Sequence, residues 1–199
     1  MTYGYCSQGK IVRRESKRMI RSFNGKTPKI ADSAFISETA CIIGDVEIGE
    51  NSNIWPGAVI RGDMGKITIG KSTAIEDNCV IHSGTPAIPW IGDVTIGDNV
   101  VFGHGAISNG RKIGNNVMIS MMATILHNVE IGDHSIIAAG CVVRENMIIP
   151  ERSFVVGVPA EIKGPISDEQ VWWLENSHKI YKEWAEMYKK EGLDVRDLR

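Results

Sequence analysis

The chain has 199 residues, 43% of them hydrophobic, and 22 Lys and Arg stand against 24 Asp and Glu for a formal net charge of −2. That length suffices for one domain with appendages, and the near balance of charge argues against nucleic acid as a partner. With no apolar run long enough to span a bilayer and no apolar signal core at the N-terminus, no membrane association and a cytoplasmic location are expected. Cys6, Cys41, Cys79 and Cys141 are scattered without metal-binding spacing, so they read as reduced, mostly packed thiols.

Taken in order, residues 1–27 form an N-terminal arm made basic by Lys10, Arg13, Arg14, Lys17, Arg18 and Arg21, expected as a solvated arm or a short surface helix that stays out of the pattern beginning next. From Ile30 an apolar ladder starts: Ile30, Ile36, Ile42, Ile48, Ile54 and Ile60 fall at a constant spacing of six residues. Neither a helix near 3.6 nor an exposed strand near 2.0 explains that period. A repeat this short predicts a solenoid in which every coil adds the same residue to one continuous core, with coils stacked at about 4.8 Å.

The ladder resumes with Ile69, Ile75 and Ile81, then Ile96 and Phe102, then Ile113, Ile119, Ile125, Ile131, Ile137, Val143 and Ile149. Two excursions interrupt it: Arg61-Gly62-Asp63-Met64-Gly65-Lys66, expected as a short loop, and residues 83–90, expected as a longer one. Irregular excursions from a regular solenoid tend to sit at binding sites. Ile69-Gly70, Ile96-Gly97, Ile113-Gly114 and Ile131-Gly132 place glycine after the inward residue, where a corner is expected to need its φ freedom.

Pro159 suits the exit from the coils, since it cannot donate to a strand ladder. A helix then starts on a capping box formed by Ser167 and Gln170, and Val171, Leu174, His178, Tyr181, Ala185 and Tyr188 share one face of it. Gly192 is its natural stop. The boundaries read from this are a β-solenoid over 28–164, a C-terminal helix over 165–192 and a tail over 193–199.

The hexapeptide pattern resembles the left-handed parallel β-helix, an all-β solenoid, here followed by an α-helix. Ile60-Arg61-Gly62-Asp63, the run Ile75-Glu76-Asp77-Asn78-Cys79-Val80-Ile81-His82, the run Gly103-His104-Gly105-Ala106-Ile107-Ser108-Asn109, the Gly157-Val158-Pro159-Ala160 exit and the Ile166–Gln170 helix start together resemble the γ-class carbonic anhydrases and their relatives in phenylacetate and carnitine pathways. The resemblance covers roughly residues 28–190. It implies a homotrimer whose zinc or iron is held between adjacent subunits by three histidines, with CO2 and bicarbonate as substrate. His82 and His104 match two of those ligands, and Asn109 stands at the third, which weakens the implied site. Arg61 and Asp77 match an inter-subunit ion pair, and Glu76 a polar residue near the bound water. Met64 falls where an acidic residue shuttles protons.

His127 and Asn109 both stand four residues before an Ile-Gly pair, which predicts that they are stacked neighbours and makes His127 a candidate displaced ligand. The stretch Ile125–Gly132 also resembles the hexapeptide-repeat acyltransferases, in which a histidine is the general base and acyl-CoA lies between subunits. That reading would make His127 catalytic, although Asn128 stands where an acid would orient it. A site too altered for catalysis would leave a binding or scaffold protein. His134 reads as a polar turn residue and His178 as a packed one.

Overall fold

The structure is a computed structural model that describes residues 19–85, 87–88 and 91–198. Residues 1–18 of the basic arm, with Cys6, and Pro86, Pro89 and Trp90 of the second excursion lie outside the described residues. The coils form a parallel left-handed β-helix with three faces. On the first face, Phe35–Ile36, Asn53–Ile54, Ala74–Ile75, Val101–Phe102, Met118–Ile119, Ile136–Ile137 and Ser153–Val156 pair in parallel, and Glu161–Pro165 closes this eight-stranded sheet antiparallel. The second and third faces share one twelve-stranded sheet, because Cys41–Ile48 and Val59–Ile69 run unbroken around the corner between them. Residues 61–66 therefore do not leave the coil as a loop, as expected from the sequence. The strand carries them, with its register shifting opposite Gly44 and Val46.

The ladder residues all point inward. Ile36, Ile54, Ile75, Phe102, Ile119, Ile137 and Val155 are wholly buried along the first face, and Ile42, Ile60, Ile81, Ile125 and Val143 lie in the core along the second. Where the sequence ladder skips between Phe102 and Ile113, Ser108 occupies the inward position at 0% exposure, between Ile81 and Ile125 in register. Its hydroxyl accepts the Gly110 N–H at 3.2 Å, which offsets the cost of burying it. Ile107 is turned out instead, 42% exposed. Only five residues separate Ser108 from Ile113, so this coil is one residue short.

The glycines after the inward residues are required by space rather than by φ. A Cβ on Gly97 would lie 2.6 Å from Asn115 Oδ1 and 2.7 Å from the Gly114 carbonyl oxygen, and one on Gly70 2.3 Å from Asp98 Oδ1. The left-handed conformation falls two residues later, at Asn51, Ser72, Asn99, Asn116 and His134. Asn tolerates it better than most residues. Between them, the Asx side chain accepts a backbone N–H from the coil before: Asp98 from Lys71 at 2.7 Å, Asn115 from Asp98 at 2.9 Å and Asp133 from Asn115 at 2.8 Å.

Cys79 and Cys141 occupy buried corners, and with Cys41 they are free thiols among the described residues. Burial pushes the Cys79 thiol up to about 12, so it is inert at neutral pH. Ile20–Arg21 adds a parallel strand beside Cys41–Ile48, so the ladder's sheet reaches further into the N-terminal segment than the period showed.

The helix α1, Asp168–Lys190, begins on the expected capping box, Ser167 Oγ accepting from Gln170 N and Gln170 Oε1 from Ser167 N. It lies across the first face. Leu174 packs with Ile136 and Ile166, and Ala185 with Phe35 and Trp55. Tyr188 closes edge-on over Trp55 at 5.0 Å. No helix among the described residues is long and apolar enough to cross a membrane.

Gly192, at φ 74, releases the tail back onto the first coil. There Asp194, 2% exposed, accepts from Arg196 Nε at 2.8 Å and from Ile36 N at 3.3 Å, while Arg196 Nη1 donates to the Asp32 carbonyl at 2.9 Å. Burial pushes the Asp194 carboxyl up, but the Arg196 and backbone hydrogen bonds outweigh it and hold the group below its ordinary value.

Gly97→Ala should destabilise the fold by about 1–3 kcal/mol, because backbone must move to admit the methyl group; urea denaturation checks this. Asp194→Ala should cost at least about 2 kcal/mol above pH 5 through loss of charge-assisted hydrogen bonds. Since the folded value is depressed, that contribution is present above the unfolded carboxylate value near 3.9 and is lost as pH falls through the lower folded value. Wild type and variant should therefore converge in stability on acidification below about pH 4.

Candidate metal centre

Two clusters of polar side chains lie on the coils that carry the excursions. The first stands on the outer side of the second face. Arg61 and His82 are register partners in adjacent strands. Alternation along the strand turns Asp63 to the same side as Arg61. Asp63 Oδ2 accepts from Arg61 Nη1 at 2.5 Å, and its Oδ1 lies 3.1 Å from His82 Nε2. Burial alone would raise the Asp63 carboxyl; the hydrogen bonds from Arg61 and His82 hold it lowered instead.

Asn109 stands on the next coil. Its Nδ2 donates to the His82 carbonyl at 3.2 Å and lies 3.5 Å from His82 Nδ1. A carbonyl only accepts, so the amino end of the amide must face His82.

The second cluster is built at the corner between the first and second faces. Glu76 follows the inward Ile75 and points out toward α1, 8% exposed. Its Oε1 accepts from Tyr181 of the helix at 2.6 Å and its Oε2 from the His104 backbone N–H at 2.9 Å. The His104 ring lies between two carboxylates, with Nδ1 2.9 Å from Asp77 Oδ2 and Nε2 3.2 Å from Glu76 Oε2. Burial, then the bond to Glu76, pushes the Tyr181 phenol up, so it is a donor at all ordinary pH.

Within one chain these clusters do not merge: among the described residues no group of three His, Cys, Asp or Glu could hold a metal ion. The donors present, two imidazoles among carboxylates, suit a divalent zinc- or iron-type ion. The Asn109 nitrogen, aimed at His82, does not. Inside the chain Arg61 pairs with Asp63, and Asp77 with His104.

The expected stacking of His127 on Asn109 fails. Ser108 pairs with Ile125, which sets Asn109 beside Leu126, because the coil after Ser108 is one residue short and counting back from Ile113 misplaces the corner. His127 lies near Glu145 instead, Nδ1 to Oε1 3.7 Å. His134 reaches Glu175 of α1 at 3.2 Å. His178 is packed as expected, its Nδ1 buried without a hydrogen-bond partner, and burial pushes its pKa down.

Tyr181 was legible only as one residue of the helix's apolar face. Its hydroxyl contact depends on where the helix docks, which no local signal carries. Asp63 was visible in the motif, but its bond to His82 needs the register of adjacent coils.

A three-faced solenoid built on a six-residue ladder defines the class of hexapeptide-repeat proteins, and comparison with known proteins narrows it. The family model described as bacterial transferase hexapeptide (six repeats) matches residues 27–62 and 112–145. The chain is 37% identical to a carbonic anhydrase of Geobacillus kaustophilus, over 86% of this chain and 91% of that protein. It is 34% identical to the mitochondrial gamma carbonic anhydrase 2 of Arabidopsis thaliana over 88% of this chain, and spans 63% of that protein's length. A crystal structure of a hexapeptide transferase family protein from Anaplasma phagocytophilum superposes with TM-score 0.79 at 31% identity, covering 86% of this chain and 98% of that one. The chain belongs to the γ-carbonic-anhydrase-like family of hexapeptide-repeat proteins.

Tyr181→Phe should leave a buried Glu76 oxygen without its donor and cost about 1–3 kcal/mol of stability, read from the denaturant midpoint at unchanged m-value.

Proposed function

We propose that this chain assembles as a homotrimer in which His82 of one copy and His104 of the next hold zinc or iron, and that the assembly hydrates CO2 more slowly than a site with three histidines. The observation that carries this reading is that each imidazole already has a carboxylate on one ring nitrogen, Asp63 on His82 and Asp77 on His104. That is how proteins orient metal-ligating histidines and fix their tautomers. The incompleteness of the site within one chain calls for a second copy. So does the outer side of the second face, where Val59, Val80, Ile107, Thr124 and Val142 stack in register as a partly exposed apolar column. Met64, Met121 and Met122 are exposed near it.

A divalent cation so held lowers the pKa of water to about 7 and makes hydroxide available at neutral pH. The chain's own residues prepare for this. Arg61 fixes Asp63, Asp63 turns His82, and Tyr181 fixes Glu76. In the proposed trimer Arg61 would also pair with Asp77 of an adjoining copy, as the family resemblance implies. Met64 carries no proton, so proton export is slowed. The acyltransferase alternative asks His127 to act as a base oriented by an acid, yet Glu145, at 3.7 Å, is beyond hydrogen-bond distance.

Sedimentation should give a particle near three times 21.9 kDa, and elemental analysis should find metal that is lost in His82→Ala and His104→Ala. Asp77→Asn should weaken metal binding about 10- to 100-fold. A stable monomer, or an assembled wild type that takes up no metal and shows no CO2 hydration in stopped-flow assays, would rule the reading out.

A further inference from the structure

We propose that Glu76 is the third protein ligand of this centre; the inference rests on the reading of His82 and His104 as metal ligands. Stable catalytic zinc sites use three protein ligands plus water. The chain offers two imidazoles, and the Asn109 amide is turned onto the His82 carbonyl, leaving a ligand to be found.

Glu76 stands where that ligand is needed. Asp77 Oδ2, which only accepts, lies 2.9 Å from His104 Nδ1, so the proton of the neutral ring sits on Nδ1 and the lone pair on Nε2. That lone pair faces Glu76 Oε2 at 3.2 Å. Two acceptors at this distance repel unless a proton or a cation lies with them. Ligands about 2.0–2.2 Å from a tetrahedral zinc stand roughly 3.3–3.4 Å apart, so the observed spacing matches one edge of the tetrahedron within the tolerance of such sites.

The carboxylate is also held in place. Tyr181 takes Oε1 and the His104 backbone N–H takes part of Oε2, leaving acceptor capacity on Oε2 beside Nε2. Two neutral imidazoles and one carboxylate form a donor set known for catalytic zinc, and the buried carboxylate would offset part of the cation's charge.

The test is metal affinity of the assembled protein, measured for zinc by chelator competition and for cobalt by its visible spectrum. Glu76→Gln keeps size and shape but weakens the donor. Its zinc affinity should fall more than about 100-fold, beyond what loss of an outer-shell partner costs, with a changed cobalt spectrum. An assembled Glu76→Gln protein with wild-type affinity and spectrum overturns the inference while leaving the His82 and His104 reading standing. A wild type that binds no zinc, or whose affinity is untouched by His82→Ala, overturns both, and the contact is then bridged by a proton. If Glu76→Gln does not assemble, infrared difference spectra of zinc-loaded against metal-free wild type labelled with carbon-13 glutamate decide. A shifted labelled carboxylate band supports ligation, and an unshifted one rejects it.

Discussion

Everything in this molecule depends on the stacking of one coil directly on the next. Parallel coils about 4.8 Å apart leave little freedom at the inward position, which is filled by an apolar side chain in nearly every turn, Ser108 being an exception. Ile fills it in most turns, Phe102 and Val143 in others, and all are buried. The same stacking rules the corners. The glycines after the inward residue allow backbone and Asx side chains of the next coil to approach more closely than a Cβ would permit. Side chains that point outward escape both constraints, and the candidate chemistry is confined to them.

Departures from the repeat accordingly stand beside that chemistry. The strand Val59–Ile69 takes up its extra residues at a register shift, pairing before it through residues 59–62 and after it through residues 67–69, and Arg61 and Asp63 stand there beside His82. Ser108 replaces an inward aliphatic residue, and the coil after it is one residue short. Asn109 reaches the His82 carbonyl by plain register, since Ile107 and Ser108 pair with Val80 and Ile81. The shortening separates the register of Asn109 from that of His127, so a histidine one coil later cannot substitute for the missing one simply by stacking.

Most of the fold was legible, because a period of six is a global constraint printed in local residues. The core ladder, the capping box at Ser167 and the packing face of α1 required no tertiary knowledge. The handedness came only with the family resemblance. What could not be read were features that hang on the register between coils or on where the helix docks. A one-residue deletion is invisible when two segments are aligned from opposite ends, which is why His127 was misplaced. Glycine at the corner has two physical rationales, conformation and space, and only coordinates separate them: at Gly97 it is space, and the left-handed residue is Asn99. The candidate site residues His82, His104, Glu76, Asp77 and Arg61 come from the family resemblance. Their partners Asp63 and Tyr181, which decide how the imidazoles and Glu76 are held, emerged from the packing.

In the assembly proposed above, a site divided between copies would link metal binding to assembly. The corner that carries His104 presents two carboxylates, Glu76 and Asp77, with Tyr181 as a neutral donor. The opposing cluster presents Asp63, whose charge Arg61 already offsets. In the proposed assembly, bringing the two together without a cation would set an imidazole lone pair and several carboxylates against one another, where unpaired charge is costly. With a divalent cation between them the same groups become mutually compatible. Under that proposal only the assembled form would offer the complete donor set, and a metal present at a hundred times its dissociation constant would stabilise assembly by about 2.7 kcal/mol per site. The carboxylates beside the histidines would then also make the empty interface less favourable than the filled one, so that the proposed trimer and its metal would share one equilibrium.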